Sequence, residues 1–199
     1  MDHCPPPIAR LLRARKERHR AALLAALPTG GVGAELGVYR GDFSARMLGI
    51  AAPRRLHLID PWRYEIADTY RGTVYGGRRG VSQAFMDAMH DAVLHRFAAE
   101  IAAGRVVVHR AASAETSALF PDEYFDWIYI DGNHLYEFVR RDLELYHTKV
   151  KRGGLIAGDD YHRGGWWKGG VKRAVDEFFA TGRCEQVAAG GRQFLLRRR

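Results

Sequence analysis

Five acidic residues stand in or directly behind short apolar runs: Glu35 within 32–36, Asp60 after 56–59, Asp131 after 127–130, and Asp159 and Asp160 just beyond 155–157. If those runs are strands of one parallel sheet, the acids emerge beyond the strands' carboxyl ends, where open α/β sheets take their ligands. Glu35 opens Glu35-x-Gly37-x-x-x-Gly41, whose glycines recur at every fourth residue. That spacing differs from the G-x-G-x-x-G of dinucleotide-binding turns, and an acid at the strand end sits poorly against a pyrophosphate. It suits a ligand that carries an amino group. Gly37 and Gly41 let the backbone approach such a ligand closely, and Asp42 or Ser44 caps the helix that follows. Asp60, 25 residues after Glu35, is placed to accept hydrogen bonds from ribose hydroxyls. Two acids so placed, without a phosphate cradle, call for an adenosine joined to an amino acid.

Asp131, Asp159 and Asp160 form a second constellation. Three carboxylates at one rim repel one another and raise each other's pKa unless a cation lies between them. An all-oxygen set suits magnesium, with water and substrate oxygens completing the octahedron. His134 follows Asp131 by three residues, and its ordinary pKa near 6.5 suits a general base that takes a proton from an acceptor hydroxyl. His57, His90, His95, His109 and His147 read as structural, while His162 lies beside the acidic pair. Trp166 and Trp167 are bracketed by glycines, so they either stack on a sugar or other ring or pack beneath the next helix. Arg63, Arg71, Arg78, Arg79, Arg163 and Lys168 could draw in an anionic group on a small-molecule acceptor.

The elements that must position these residues follow from periodicity. Residues 8–27 carry Ile8, Leu11, Leu12, Leu23, Leu24 and Leu27 at helical spacing among charges, and predict an amphipathic leading helix that packs within the chain or forms a homodimer contact. Strands are expected at 32–36, 56–59, 106–108, 127–130 and 155–157, with helices at 43–48, about 82–103, 136–146 and about 170–180. Residues 184–187 and 193–196 flank Ala189-Gly190-Gly191 as a hairpin. Strands alternating with helices give a Rossmann-like, doubly wound α/β sheet of about seven mostly parallel strands, covered by helices on both faces. Residues 63–80, rich in Tyr, Arg and Gly and without periodicity, form a connection long enough to be a lid or substrate loop.

The 199 residues, 47% of them apolar, suit one domain with a substantial core. No run approaches a membrane span or a secretory signal core, and Cys4 and Cys184 form neither a disulfide framework nor a zinc cluster, which together read as a reduced, cytoplasmic setting. The formal charge is +8, but residues 8–20 contribute +5 and residues 192–199 contribute +4, so the remainder is near neutral. Charge gathered at the two ends, away from any central groove, argues against nucleic acid as the substrate.

Glu35-x-Gly37-x-x-x-Gly41, the strand-ending Asp60, residues 125–134 (Phe-Asp-Trp-Ile-Tyr-Ile-Asp-Gly-Asn-His) and Gly153-Gly154-Leu155-Ile156 occur in an order that resembles the class I S-adenosylmethionine-dependent methyltransferases over roughly residues 30–180. Asp131-Gly132-x-His134-x-Tyr136-Glu137 with Gly158-Asp159-Asp160-Tyr161 is most similar to small bacterial methyltransferases related to macrocin O-methyltransferase and to a cephalosporin hydroxylase-like group. The resemblance implies that Glu35, Gly37, Val38 and Gly41 hold the methionine end of S-adenosylmethionine and that Asp60 and Pro61 meet the ribose. It implies Ala112 and Ser113 at the adenine edge, Asp131 and Gly132 beside the cofactor, and Trp62 either over the adenosine or in the core. It also implies magnesium on Asp131, Asp159 and Asp160, His134 and Asp131 in catalysis, and transfer to an oxygen of a sugar or natural-product intermediate. Asn133 stands where some sugar O-methyltransferases carry an acid, and many relatives with the Gly-x-Asp-Tyr ending have His before the Asp. A metal-independent methyltransferase, a hydroxylase-like enzyme on the same scaffold and a nucleic-acid methyltransferase remain the alternatives.

Overall fold

The computed structural model describes residues 7–71, 73–77 and 80–199, with the backbone alone for 7–13 and Ala189; Cys4, Arg78 and Arg79 lie outside the described residues. Five strands, β1 (Val32–Leu36), β2 (Arg55–Ile59), β3 (Val106–His109), β4 (Phe125–Ile130) and β5 (Val150–Gly158), run parallel, and β6 (Cys184–Gly190) and β7 (Gln193–Arg198) complete one sheet in the order β3-β2-β1-β4-β5-β7-β6. β7 is antiparallel to both of its neighbours. The strand order reverses at β1, so its carboxyl end and that of β4 open the crevice that such sheets use for ligands.

The helices are α1 (Pro7–Ala25), α2 (Asp42–Ile50), α3 (Gln83–Arg96), α4 (Ala98–Ala102), α5 (Ser113–Thr116), α6 (Tyr136–His147) and α7 (Gly170–Ala180). Side-chain alternation along β4 explains why both faces need them. Trp127 and Tyr129 point into a core with Leu24 and Leu27 from the α1 end, Phe43 and Met47 of α2 and Met86 and Val93 of α3. Ile128 and Ile130 point the other way, against Val139 and Leu143 of α6 and Val171, Val175 and Phe178 of α7. Each face is closed by a separate apolar layer, as expected for a buried parallel sheet.

Most expected elements lie where periodicity put them, and the differences have local causes. The single helix expected over 82–103 starts after Ser82, whose hydroxyl accepts from the Phe85 N–H at 3.2 Å, but it breaks at the buried Phe97 into α3 and α4. β5 begins five residues earlier than the apolar run because Val150 already pairs with Phe125; Lys151, Arg152, Gly153 and Gly154 then bulge out before the register resumes at Leu155 and Trp127, a stretch that hydrophobicity does not mark. The hairpin turn is Gly191-Arg192, both at positive φ, the backbone that fits a two-residue connection.

One polar group inside this fold is independent of the rim. On β2, His57 is buried among Phe120, Tyr124 and Phe125, with Nδ1 2.9 Å from His109 Nε2 and Nε2 3.1 Å from the Tyr124 hydroxyl. Burial, then the His109 and Arg55 charges, push its pKa down to about 4. The unfolded chain therefore binds this proton more readily than the folded one between pH 6.5 and about 4, and stability falls as pH drops through that window. We expect a loss on the order of 2 kcal/mol from His57 across that range. Urea unfolding at pH 7 and pH 4.5 checks this: the His57→Phe variant should show the smaller drop, and an equal drop in both proteins would exclude His57 as the cause.

Candidate active site

The carboxyl ends of β1 and β4 nearly touch. Gly37, at φ +95°, lies so close that a Cβ there would stand 2.4 Å from the Asp131 carbonyl oxygen, so no other residue fits without moving the strand end. The Asp131 N–H donates to the Leu36 carbonyl at 2.8 Å and the Gly37 N–H to the Ile59 carbonyl at 2.9 Å, tying β1, β2 and β4 together just where the acids emerge. Three non-glycine residues with positive φ, Tyr39, Trp62 and Asp160, sit just beyond β1, β2 and β5. Such backbone strain concentrates at functional sites because it holds side chains that a relaxed turn would release.

Glu35 is buried, with the Ser44 hydroxyl of α2 donating to it. Burial pushes its carboxyl well above the usual range, Ser44 opposes that, and Asp131 and Asp60 add to it. Asp60 is also buried but fully occupied by donors. One oxygen accepts the backbone N–H groups of Val38 at 2.8 Å and Tyr39 at 3.0 Å, and the other accepts the Trp62 N–H at 2.8 Å. The Tyr75 hydroxyl, from the 63–80 connection, donates to the first of these oxygens at 2.5 Å. Trp62, next to Pro61, takes the core placement: it is buried, its indole N–H donates to the Tyr39 carbonyl at 2.9 Å, and its ring meets His90 edge-on. Gly41 caps α2 in the left-handed conformation against Phe97. Ser113, following Ala112 at the start of α5, turns its hydroxyl to Asp142 of α6 at 2.5 Å.

Across the crevice, the three aspartates behind β4 and β5 divide. Asp131, His134 and Asp160 each present a ligand atom within 4.8 Å of the others, with His134 Nε2 3.3 Å from Asp131 and Nδ1 3.4 Å from Asp160. Asp159, wholly buried, is instead paired with two cations of α1: Lys16 Nζ at 2.8 Å and the Arg20 guanidinium, which also reaches Asp131 at 3.2 Å. Burial works to raise the Asp159 carboxyl, but Arg20 and Lys16 outweigh it and hold it below the usual range. Burial raises Asp131, with Asp159 adding to the rise and the His134 hydrogen bond opposing it. For His134, burial pulls down while Asp131, Asp160 and Asp159 pull up more strongly, leaving it above its ordinary value.

Aromatic rings wall this side. Trp167 stands edge-on to His134 with centroids 4.8 Å apart, Trp166 is 41% exposed beside it, and Tyr70 meets Trp166 from the 63–80 connection while accepting from the Asn133 amide at 2.7 Å. The start of α7 abuts the same loop, since a Cβ on Gly170 would stand 2.7 Å from the His134 carbonyl oxygen. A cavity of about 410 Å³ lies at that helix start, lined by Arg163, Lys168, Lys172, Arg173, Asp176 and Glu177.

Tyr75, Lys16 and Arg20 are the rim residues that sequence reasoning missed. For the two cations a signal existed: positions 16, 20, 24 and 27 follow one helical stripe, and Leu24 and Leu27 on it are buried. A cation on an apolar stripe calls for an acid partner, and among the described residues Asp159 meets both.

A model of the methyltransferase domain matches residues 34–161, which contain every acid of the rim. No curated protein matches the chain. Among solved structures, the cofactor-bound protein Rv0187 from MTB is 14% identical at a TM-score of 0.63, covering 98% of this chain and 91% of its own. An O-methyltransferase from Bacillus cereus in complex with SAH is 15% identical at 0.60, covering 100% and 84%, and the calicheamicin methyltransferase CalS11 is 20% identical at 0.57, covering 95% and 79%. These likenesses establish a shared fold, and the domain match goes further. The chain belongs to the methyltransferase-domain family, the class I enzymes that depend on S-adenosylmethionine.

Proposed function

We propose that this methyltransferase acts on an oxygen of a small molecule and that its acidic rim holds a divalent ion. The observation that carries this reading is the convergence of Asp131, His134 and Asp160 on the crevice that Glu35 and Asp60 line. Glu35 would meet the amino group of the cofactor and Asp60 its ribose; the Tyr75 hydroxyl already donates to Asp60 as a ribose hydroxyl would, which supports the fit. Gly37, Val38, Gly41, Pro61, Ala112, Ser113 and Gly132 would shape the remainder of the cofactor seat, with Trp62 buried behind it. Bound S-adenosylmethionine supplies an electrophilic methyl group on a sulfonium.

The chain's own residues supply orientation and proton removal. An ion of magnesium type would use the carboxylates of Asp131 and Asp160 and leave His134 to accept the acceptor's proton, whereas manganese or zinc would take the imidazole as a third donor. Asp159, tied to α1, supports the rim from behind. Tyr70, Trp166 and Trp167 offer ring faces beside His134, and Arg163 and Lys168, which have no acid within ion-pair distance among the described residues, lie in the adjoining basic cavity. A sugar or ring bearing a carboxylate or phosphate suits that lining. The connection 63–80 would close over it as a lid. A metal-independent methyltransferase is the second reading, favoured by one observation: two cationic side chains, Lys16 and Arg20, and the His134 imidazole already lie against the three acids.

Isothermal titration of the purified chain with S-adenosylhomocysteine, with magnesium, with manganese and with EDTA, tests the cofactor seat, and an acceptor screen in the same buffers reads S-adenosylhomocysteine formed per methyl transferred. We expect micromolar binding that Glu35→Gln weakens at least tenfold, and turnover that EDTA or Asp160→Ala abolishes while binding persists. Absence of binding would remove the cofactor assignment, and full turnover in EDTA would select the metal-independent reading. Tyr75→Phe removes the hydroxyl that the ribose must displace and should tighten S-adenosylhomocysteine binding by about three- to tenfold, the worth of one charge-assisted hydrogen bond. Weaker binding in that variant would mean that Tyr75 contributes to the seat.

A further inference from the structure

The leading helix α1 brings two cations into the chemical centre of the molecule. Lys16 and Arg20 lie one turn apart, and Arg20, 18% exposed, spans 111 and 139 residues of chain to reach Asp131 and Asp159. The helix is held there from several sides. Leu24 is buried in the core, Arg46 of α2 clasps the Glu17 carboxylate and its carbonyl, His19 packs on Gly191 of the hairpin turn, and the Arg20 guanidinium lies 4.8 Å over the Phe43 ring. A cation so constrained is not a solvated surface charge.

The two cations divide their work. Lys16 reaches Asp159 at 2.8 Å and comes no nearer than 3.9 Å to Asp160, and it does not contact Asp131. Arg20 alone bridges β4 and β5, occupying one oxygen of Asp131 while His134 faces the other. Asp131 is also a member of the Asp131, His134 and Asp160 group. A divalent ion on that group and a guanidinium on the same carboxylate would be adjacent like charges, and both need the lone pairs of Asp131.

We propose that Arg20 is the rim's built-in counter-cation: it competes with a divalent ion for the Asp131 carboxylate, so that α1 sets the metal affinity of the site. This rests on the reading that a divalent ion sits on Asp131 and Asp160. Lys16 makes the exchange workable, since Asp159 keeps a counter-ion when Arg20 gives up Asp131. The geometry assigns Arg20 as a positioning residue, acting on the ion through Asp131.

Titration of the full chain with manganese chloride, read by calorimetry and by the loss of the free-ion paramagnetic resonance signal, tests this without turnover. Arg20→Met should tighten manganese binding about tenfold or more over the unaltered chain. Lys16→Met removes the same charge without freeing Asp131 and should tighten it about threefold or less. Equal effects would reduce the proposal to net charge and overturn it. Unchanged or weaker binding in Arg20→Met would overturn it, as would the absence of manganese binding in every protein. If Arg20→Met does not fold, Arg20→Gln keeps the stem and a neutral donor and is expected to shift affinity in the same direction. S-Adenosylhomocysteine binding in the same samples separates the two levels: if it persists while the manganese result fails, the metal claim falls and the cofactor assignment stands.

Discussion

Everything at the rim depends on keeping five carboxylates at the ends of adjacent strands without letting their charges drive the strands apart. In a low-dielectric crevice that repulsion is large, and each acid meets it by a different physical route. Asp60 collects backbone N–H donors from the segments just beyond β1 and β2. For Glu35, burial raises the carboxyl and one hydroxyl donor, Ser44, opposes the rise. Asp159 takes two side-chain cations, and Asp131 and Asp160 share an imidazole. Only the last pair shares a neutral-or-charged imidazole, with Arg20 on the second oxygen of Asp131, so this is the part of the rim whose partners are the most varied.

The backbone makes this arrangement possible before any side chain takes part. The glycine at 37 lets β1 and β4 end within contact of each other, and the positive φ at Tyr39, Trp62 and Asp160 turns the chain sharply away from three strands. A sharper exit leaves the strand-end acids at the crevice instead of carrying them under the following helix. The two apolar layers, alternating along β4, absorb the cost of that strain by fixing the strands from both faces.

Strands and helices were legible in the sequence where one periodicity ruled a segment. β1 and α7 occupy the residues that their patterns mark, whereas β5 was visible only where it is buried, because its first half carries Lys151, Arg152 and two glycines. The acids of the site were legible because a parallel sheet converts position after an apolar run into position at the rim. What was not legible is contact between distant segments. The charge balance of residues 8–20 shows a basic helix but not that two of its cations reach β5, and the 63–80 connection shows aromatic content but not that Tyr75 meets Asp60. Asp159 and Asp160 look alike in sequence, yet the left-handed turn at Asp160 sends one carboxylate towards α1 and the other towards His134.

These long-range contacts share a character. On the proposed reading, a phenol donates at Asp60 where a sugar hydroxyl would and a guanidinium sits at Asp131 where an ion would, so these acids are partnered by groups of the same chemistry as the proposed ligands. A buried carboxylate left without any partner costs more than an ordinary hydrogen bond gains, which is why such stand-ins are retained. If the proposed ligands take those places, binding is exchange: the gain from each new contact is reduced by the internal contact it replaces. Affinity then depends as much on how readily α1 and the 63–80 connection withdraw as on the groups that line the crevice, and those two segments, distant in sequence, act on neighbouring acids of a single rim.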